Sequence, residues 1–329
     1  MSDKKLTINV VTYNHENYIA QCLDSILMQK TSFDYVIRIF DDASSDKTQD
    51  ICREYAKKYS NIELYLANEH MGIQNDELVN ARRAYDNIKT PYYIFIEGDD
   101  YYCSDIAFQQ EFNILESHTE CSFCCAGTKV YENNTKTMHN NYYYPTLKKN
   151  IYTLEDIKNS QIYIQSLIGS RMVRTNAINI NPEYSSAYML DITQICELLK
   201  KGNMYFIDSP ICVYRVTTSG FFRGQKFSNK FKFIYDTIMK YNEYTNYEFE
   251  EFLMSFITTE YAGLLERKRT NNFNQETSNF IQKKSFLSYI KRFKRYFIPR
   301  FILDIFDLPR DISRFIRRYI SKRSVNEFK

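Results

Sequence analysis

The feature that most limits what this chain can fold into is the regular alternation of strand and helix patterns over its first hundred residues. Leu6 to Thr12 (LTINVVT) is a short apolar, β-branched run that predicts a buried strand. Tyr18 to Met28 carries apolar residues at Ile19, Leu23, Ile26 and Leu27, the spacing of one helix face. A second strand is expected at Tyr35 to Phe40, a second helix at Thr48 to Tyr59, and a third strand at Ile62 to Leu66. A third helix at Asp76 to Ile88 and a fourth strand at Tyr92 to Ile96 complete the series. Units of this length predict an α/β fold with a mostly parallel sheet and helices on both faces. Right-handed crossovers bring the strand C-terminal ends to one edge, where an open α/β sheet binds its ligand.

Three segments directly follow those strand ends: Thr12-Tyr13-Asn14-His15, Asp41-Asp42-Ala43-Ser44-Ser45-Asp46 and Glu97-Gly98-Asp99-Asp100. Each is polar, and two are rich in carboxylates. Carboxylates crowded at one strand end repel each other unless a cation is present. Mg²⁺ or Mn²⁺ takes oxygen ligands and bridges to phosphates, so the third segment suits a metal-diphosphate complex. The plainer alternative for it is a solvated, capped turn. In the second segment Ser45 or Asp46 suits the N-terminal cap of the next helix. That leaves Asp41 with no structural task and able to accept a hydrogen bond from a nucleobase.

A second region, about 104 to 216, is less regular. Ala107 to Leu115 and Thr193 to Leu199 read as helices, Ser122 to Tyr131 as a strand and Cys212 to Val216 as a closing strand. Asn133 to Asn150 is polar and Tyr-rich and reads as a loop over the sheet edge. His118, Cys121, Cys124 and Cys125 have too few partners at zinc spacing, and CSFCCAGTKVY reads better as a buried strand with thiols packed as hydrophobes. From Phe227 onward the pattern is mainly helical.

On these residues a family resemblance stands. The segments VVTYNHENYIAQCLDSILMQ, FDDASSDKT, NEHMGIQN and IEGDDYY, in this order and separation, resemble the nucleotide-binding half of family 2 glycosyltransferases, which are inverting enzymes of GT-A fold. EGDDYY with Ser104-Asp105 and Gln109-Gln110 resembles a bacterial subgroup tied to surface polysaccharides such as capsule and lipopolysaccharide. The resemblance implies a nucleotide-diphospho-sugar transferase whose nucleoside pocket includes Thr12, Tyr13 and Asn14, with Asp41 on the base and Asp42 nearby. Glu97-Gly98-Asp99 stands where the family has its DxD motif, which makes Asp99 the metal ligand for Mn²⁺ or Mg²⁺. Asp100 is implied at the sugar or behind the metal, and Gly72 and Asn75 on a donor-side loop. The general base the family needs is matched best by Asp191, a lone charge in Tyr188-Met189-Leu190-Asp191-Ile192-Thr193, with Glu155, Asp156 and Glu183 as alternatives. Arg215, in Val213-Tyr214-Arg215-Val216-Thr217, resembles the closing-strand arginine that approaches the diphosphate. The family's usual His is replaced by Thr217, and its usual Pro before Thr12 by Val11.

These readings divide the chain into a catalytic domain, 1–220, and a C-terminal helical region, 221–329. The first splits into a nucleotide-sugar half (1–103) and an acceptor half (104–220). Net charge is only +3, which excludes the footprint of a nucleic-acid binder. The basic character is concentrated at the end: Lys283 to Arg323 holds thirteen Lys or Arg against three Asp, so the rest is net acidic. There Phe286, Ile290, Phe293 and Phe297 recur at helical spacing among Lys291, Arg292, Lys294 and Arg295. Such a basic amphipathic tail is expected to lie on an anionic membrane beside a lipid-linked acceptor, and it also offers a surface for self-association. Neither a signal-peptide core nor an 18-residue apolar span is present, so a cytoplasmic protein, peripheral at the membrane, is expected. The expected partners are a nucleotide-sugar donor, UDP-linked by preference, and a glycan or lipid-linked glycan acceptor. A nucleotidyltransferase shares the parallel sheet and acidic metal site, but residues 12–17 lack its Gly-rich basic loop. A non-catalytic nucleotide-sugar-binding protein would not need Asp41, Asp99 and Asp191 together.

Overall fold

The computed structural model describes residues 4–71, 73–74, 77–78, 83–140, 149–158, 168–177, 191–217, 227–250, 252–253 and 256. Its first half follows the expected alternation: β1 (Leu6–Thr12), α1 (Ile19–Leu27), β2 (Tyr35–Asp41), α2 (Thr48–Lys58), β3 (Ile62–Leu66) and, after a small two-stranded pair, β6 (Tyr92–Glu97). That pair, β4 (Ile73–Gln74) and β5 (Glu77–Leu78), is antiparallel and occupies the start of the segment read as a third helix. Within the segment read as a helix, Glu77–Leu78 is strand and Arg83 is helical, while 76 and 79–82 lie outside the described residues.

The remaining elements are β7 (Tyr101–Tyr102), α3 (Ala107–Ser117), β8 (Cys121–Glu132), β9 (Thr137–Asn140), β10 (Ile151–Tyr152), α4 (Leu154–Lys158), β11 (Arg171–Arg174), α5 (Asp191–Leu199), β12 (Asn203–Val216) and α6 (Phe227–Tyr244). The main sheet has the order β10-β12-β8-β11-β6-β1-β2-β3. Strands β3, β2, β1 and β6 run parallel, whereas β11 runs antiparallel to both β6 and β8. The closing strand is much longer than Cys212–Val216, because β12 pairs parallel to β8 along nearly its whole length. Part of the expected Tyr-rich loop is strand: β9 folds back on β8.

Both faces of the sheet are covered. In β1 the alternation Leu6, Ile8, Val10 points to the face where Ile19, Cys22, Leu23 and Ile26 of α1 pack. Tyr93, Phe95 and Val173 point the other way, against Ile192, Ile195, Cys196 and Leu199 of α5. The intervening polar residues of β1 are buried and paired: the Thr7 and Thr90 hydroxyls lie 2.7 Å apart, and Asn9 Nδ2 donates to the Ala84 carbonyl at 2.7 Å. In β8 the strand alternation sends Cys124 and Cys125 to opposite cores, which agrees with packing and not with a shared metal.

Candidate active site

Strand register alone brings the three polar segments together. Thr12 pairs with Asp41 and Val11 with Glu97, so β1, β2 and β6 end side by side. Two backbone hydrogen bonds tie the turns beyond, from Asp42 N to the Thr12 carbonyl (3.0 Å) and from Gly98 N to the Val11 carbonyl (2.8 Å).

The loops after β1 and β2 are then stitched to each other. Asn14 and Ala43 adopt left-handed backbone (φ 55° and 58°), a conformation costly for alanine. Asn14 N donates to Ser44 Oγ (2.9 Å), Ser45 N to Asn14 Oδ1 (2.8 Å), His15 N to Thr48 Oγ1 (2.8 Å) and Glu16 N to Asp46 Oδ2 (3.0 Å). Asp46 Oδ1 accepts from Thr48 N at 2.9 Å, the cap-like role expected for it. Asp41, expected to lack a structural task, has one. Its buried carboxylate accepts from Ser44 N (2.9 Å), from the Ser44 hydroxyl and from Gln49 Nε2 (2.6 Å). Its Oδ1 thus carries two donors and its Oδ2 one. Asp42 faces His70 Nδ1 at 2.9 Å and accepts from Met71 N at 3.1 Å. The half-exposed Tyr13 ring stacks on His70 with centroids 4.0 Å apart.

The carboxylates of Glu97, Asp99 and Asp100 offer ligand oxygens that all lie within 4.8 Å of one another. Asp99 is 8% exposed and Asp100 1%, while Glu97 opens to solvent. Burial first, then the charges of Asp99 and Glu97, raises the Asp100 carboxyl well above its ordinary range, against the opposing pull of Arg215. Glu97 is raised as well, by desolvation and then by Asp99 and Asp191, though its open side lets water temper the shift. Asp100 Oδ2 is buried without a partner among the described residues. Three converging carboxylates, one with an orphaned oxygen, fit a hard divalent cation. His15 joins this group from β1: its Nδ1 is 3.2 Å from Thr12 Oγ1 and its Nε2 3.9 Å from Asp99 Oδ2. Burial lowers its pKa despite the neighbouring carboxylates of Asp99, Asp46 and Asp41, so it stands neutral near pH 7.

Arg215 stands beside the acidic turn, but its groups serve the protein. Its N donates to Asp100 Oδ1 (2.8 Å), its Nε to the Asp99 carbonyl (2.8 Å) and its Nη2 to Gln21 Oε1. The guanidinium carbon also lies 5.0 to 5.4 Å from the ring centres of Tyr18, Tyr101 and Tyr131. Thr217, two residues further on, is buried.

Asp191 opens α5, two residues before the expected helix start, and its carboxylate takes Arg171 Nη2 at 2.6 Å. Of the alternatives, Asp156 accepts from Thr153 N (2.7 Å) and pairs with Lys149 (2.7 Å), and Glu155 faces Lys158 at 3.9 Å. Glu183, Gly72 and Asn75 lie outside the described residues, as does the basic tail. Sequence reasoning missed His15, Gln21, Gln49, His70 and Arg171. Only His15 carried a signal, its place in the first strand-end segment; the others reach the site through tertiary contacts.

Comparison with known proteins agrees with this geometry. Residues 7–175 match the family described as "Glycosyl transferase family 2". Glycosyltransferase GlyA of Streptococcus pneumoniae is 30% identical over 145 residues, covering 40% of this chain and 20% of GlyA. The poly(ribitol-phosphate) beta-glucosyltransferase of Bacillus spizizenii is 34% identical over 106 residues, covering 31% and 16%. The chain thus spans a fifth or less of the length of these two curated relatives. Among solved structures, S. aureus TarS 1-349 in complex with UDP-GlcNAc superimposes with a TM-score of 0.58 at 16% identity, covering 92% of this chain and 83% of that one.

Proposed function

The chain belongs to glycosyl transferase family 2, and from that premise we propose that it moves a sugar from a nucleotide-diphosphate donor to a hydroxyl of a glycan or lipid-linked glycan, with inversion. The observation that carries the reading is the convergence of Glu97, Asp99 and Asp100 beside Thr12 and Asp41 on one sheet edge. A UDP-linked donor is supported by the UDP-GlcNAc complex of TarS, whose fold this chain shares. The poly(ribitol-phosphate) relative favours an acceptor of the teichoic-acid type over capsule or lipopolysaccharide.

In this reading Thr12, Tyr13 and Asn14 line the nucleoside pocket, Asp42 and Asp41 border the base, and Gly72 and Asn75 belong to the donor side. Asp99, with Glu97 and Asp100, would hold Mn²⁺ or Mg²⁺, which would neutralise charge on the departing diphosphate. Arg215 holds the Asp99–Asp100 turn in place, and its guanidinium is the group that would approach the diphosphate. Asp191 removes the acceptor's proton. Because a general base contributes roughly 10²–10⁴-fold, Asp191→Asn should cut transfer by that order while leaving donor affinity intact.

The basic tail and an anionic membrane surface remain part of the proposal, on the charge pattern alone. Among the described residues no helix is long and apolar enough to cross a membrane. The test is a thermal-shift screen of UDP- and GDP-sugars with Mn²⁺, followed by a nucleotide-release assay on the best binder. Wild-type stabilisation and turnover that persist in Asp99→Ala would overturn the metal assignment. A protein that no nucleotide sugar stabilises would overturn the donor class.

A further inference from the structure

Arg171 is a charged side chain that neither the donor pocket nor the acidic cluster uses. It lies on β11, between β6 and β8, with its backbone opposite Cys125, and only 2% of the side chain is exposed. Burying a guanidinium costs several kcal/mol unless it is paired and hydrogen-bonded. Its Nη2 meets Asp191 Oδ1 at 2.6 Å and its Nη1 lies 3.5 Å from the Asp191 carbonyl, while Nε has no partner among the described residues. Among the described ion pairs this is the one whose cation is buried. A core site that needed only volume would be served as well by a methionine. The carboxylate it holds is different: the Asp191 side chain is 37% exposed and stands in the first turn of α5, where the helix dipole favours an anion.

We propose that Arg171 is the positioning residue of this site: from β11 it pins Oδ1 of Asp191 and leaves Oδ2 as the oxygen that takes the acceptor's proton. The inference rests on Asp191 being the base. In the step it serves, the acceptor O–H bond breaks and its proton goes to Asp191 Oδ2. The acceptor oxygen's electron pair forms the new bond to the anomeric carbon, and the pair of the old bond leaves on the diphosphate. The proton then passes to water through the exposed side of the carboxylate.

The charged and titratable groups around Asp191 make Arg171 the one that sets its state. Glu97, on β6, feels the Asp191 charge and adds a like charge. Tyr85, which precedes β6 and takes a hydrogen bond from Gln194 of α5, is a buried phenol held neutral. Arg171 is the cation, and it opposes the burial that pushes the Asp191 carboxyl upward. Without it, desolvation favours the protonated acid, which cannot act as a base.

The experiment compares wild type, Arg171→Lys, Arg171→Met and Asp191→Asn by ¹³C NMR titration of aspartate carboxyls, with the Asp191 signal assigned by its loss in Asp191→Asn. The same proteins are assayed for UDP release from UDP-GlcNAc with Mn²⁺ across pH, water serving as acceptor. Arg171→Met should move the Asp191 titration, and the acidic limb of the rate profile, to higher pH, with UDP affinity unchanged. Arg171→Lys should restore most of both. An Asp191 titration identical in wild type and both Arg171 variants overturns the proposal. If Arg171→Met does not fold, the lysine variant decides: its charge sits on a shorter, single-pronged group, so a partial shift is expected and none refutes. Should UDP-GlcNAc not turn over in wild type, the titration stands as the readout. Wild-type turnover by Asp191→Asn would instead overturn the base assignment itself, whatever Arg171 does.

Discussion

At Gly98 the backbone passes so close to β1 that a Cβ would stand 2.8 Å from Thr12 Oγ1 and 3.0 Å from His15 Nδ1. Those two side chains border Asp99, so the clash would be relieved by moving the site. Gly98→Ala should therefore weaken UDP binding in the presence of Mn²⁺ by about tenfold or more, equal to ~1.4 kcal/mol, as read by calorimetry. Glu111 presents the opposite case, a titratable group remote from chemistry. It is buried, accepts from Met172 N at 3.1 Å, has an unpartnered Oε2, and desolvation pushes its carboxyl up to about 8. In the folded protein it keeps a proton that the unfolded chain has already lost above the ordinary value of 4.5. Stability from this group should thus fall as pH rises from 4.5 to about 8 and level off above. Glu111→Gln, which carries an N–H where the acid carries its proton, should flatten that slope of Tm against pH; an unchanged slope would disprove the assignment.

At the scale of elements, the site is assembled by two joins. The parallel register of β1, β2 and β6 aligns Thr12, Asp41 and Glu97, and the long β12 delivers Arg215 to the turn after β6. Arg215 ties three elements at once, through Asp99 and Asp100, through Gln21 of α1, and through the rings of Tyr18, Tyr101 and Tyr131. Truncating the guanidinium leaves the Asp99 carbonyl and Gln21 Oε1 unpaired, at a cost of roughly 1–3 kcal/mol for each buried group. Arg215→Met should lower Tm by several degrees and weaken Mn²⁺ binding more than it weakens binding of UDP alone. Equal losses in both would point to a diphosphate contact in place of the positioning role. Asp41 works at this same scale, holding the β2 loop through Ser44 and Gln49 so that the wall of the pocket is set before any ligand arrives.

For the molecule as a whole, charge is divided between an acidic body and a basic terminal segment. Each basic residue near an anionic bilayer contributes about 1 kcal/mol, screened over a Debye length of ~8 Å at physiological salt. Truncation after Gln282 should then abolish sedimentation with anionic liposomes, and salt should weaken binding of the full chain. Equal liposome binding by both forms would reject a membrane role for the tail.

What the sequence determined by itself follows from periodicity and from residues adjacent in the chain. Alternating apolar positions marked β1, β2, β3 and β6, and the polar segments after them marked the candidate functional edge. Asp99 could be singled out because Glu97-Gly98-Asp99 resembles the family's DxD motif, whose residues are close in sequence. The cap at Asp46 was legible for the same reason. Tertiary structure alone decided what depends on pairing across distance. After β3, Glu77 and Leu78 pair with β4 at the start of a segment expected to be helical, a pairing that short apolar spacing could not announce. Asp41 proved to be a buttress, since Gln49 lies on the next helix and only the fold turns it back. Arg171 and Asp191 are twenty residues apart with no shared motif, and a buried cation finds its anion only when β11 and α5 are packed on the same sheet. Local pattern thus located the edge where the chemistry is proposed, and the desolvated partners that set the charge and aim of each group there could come only from packing.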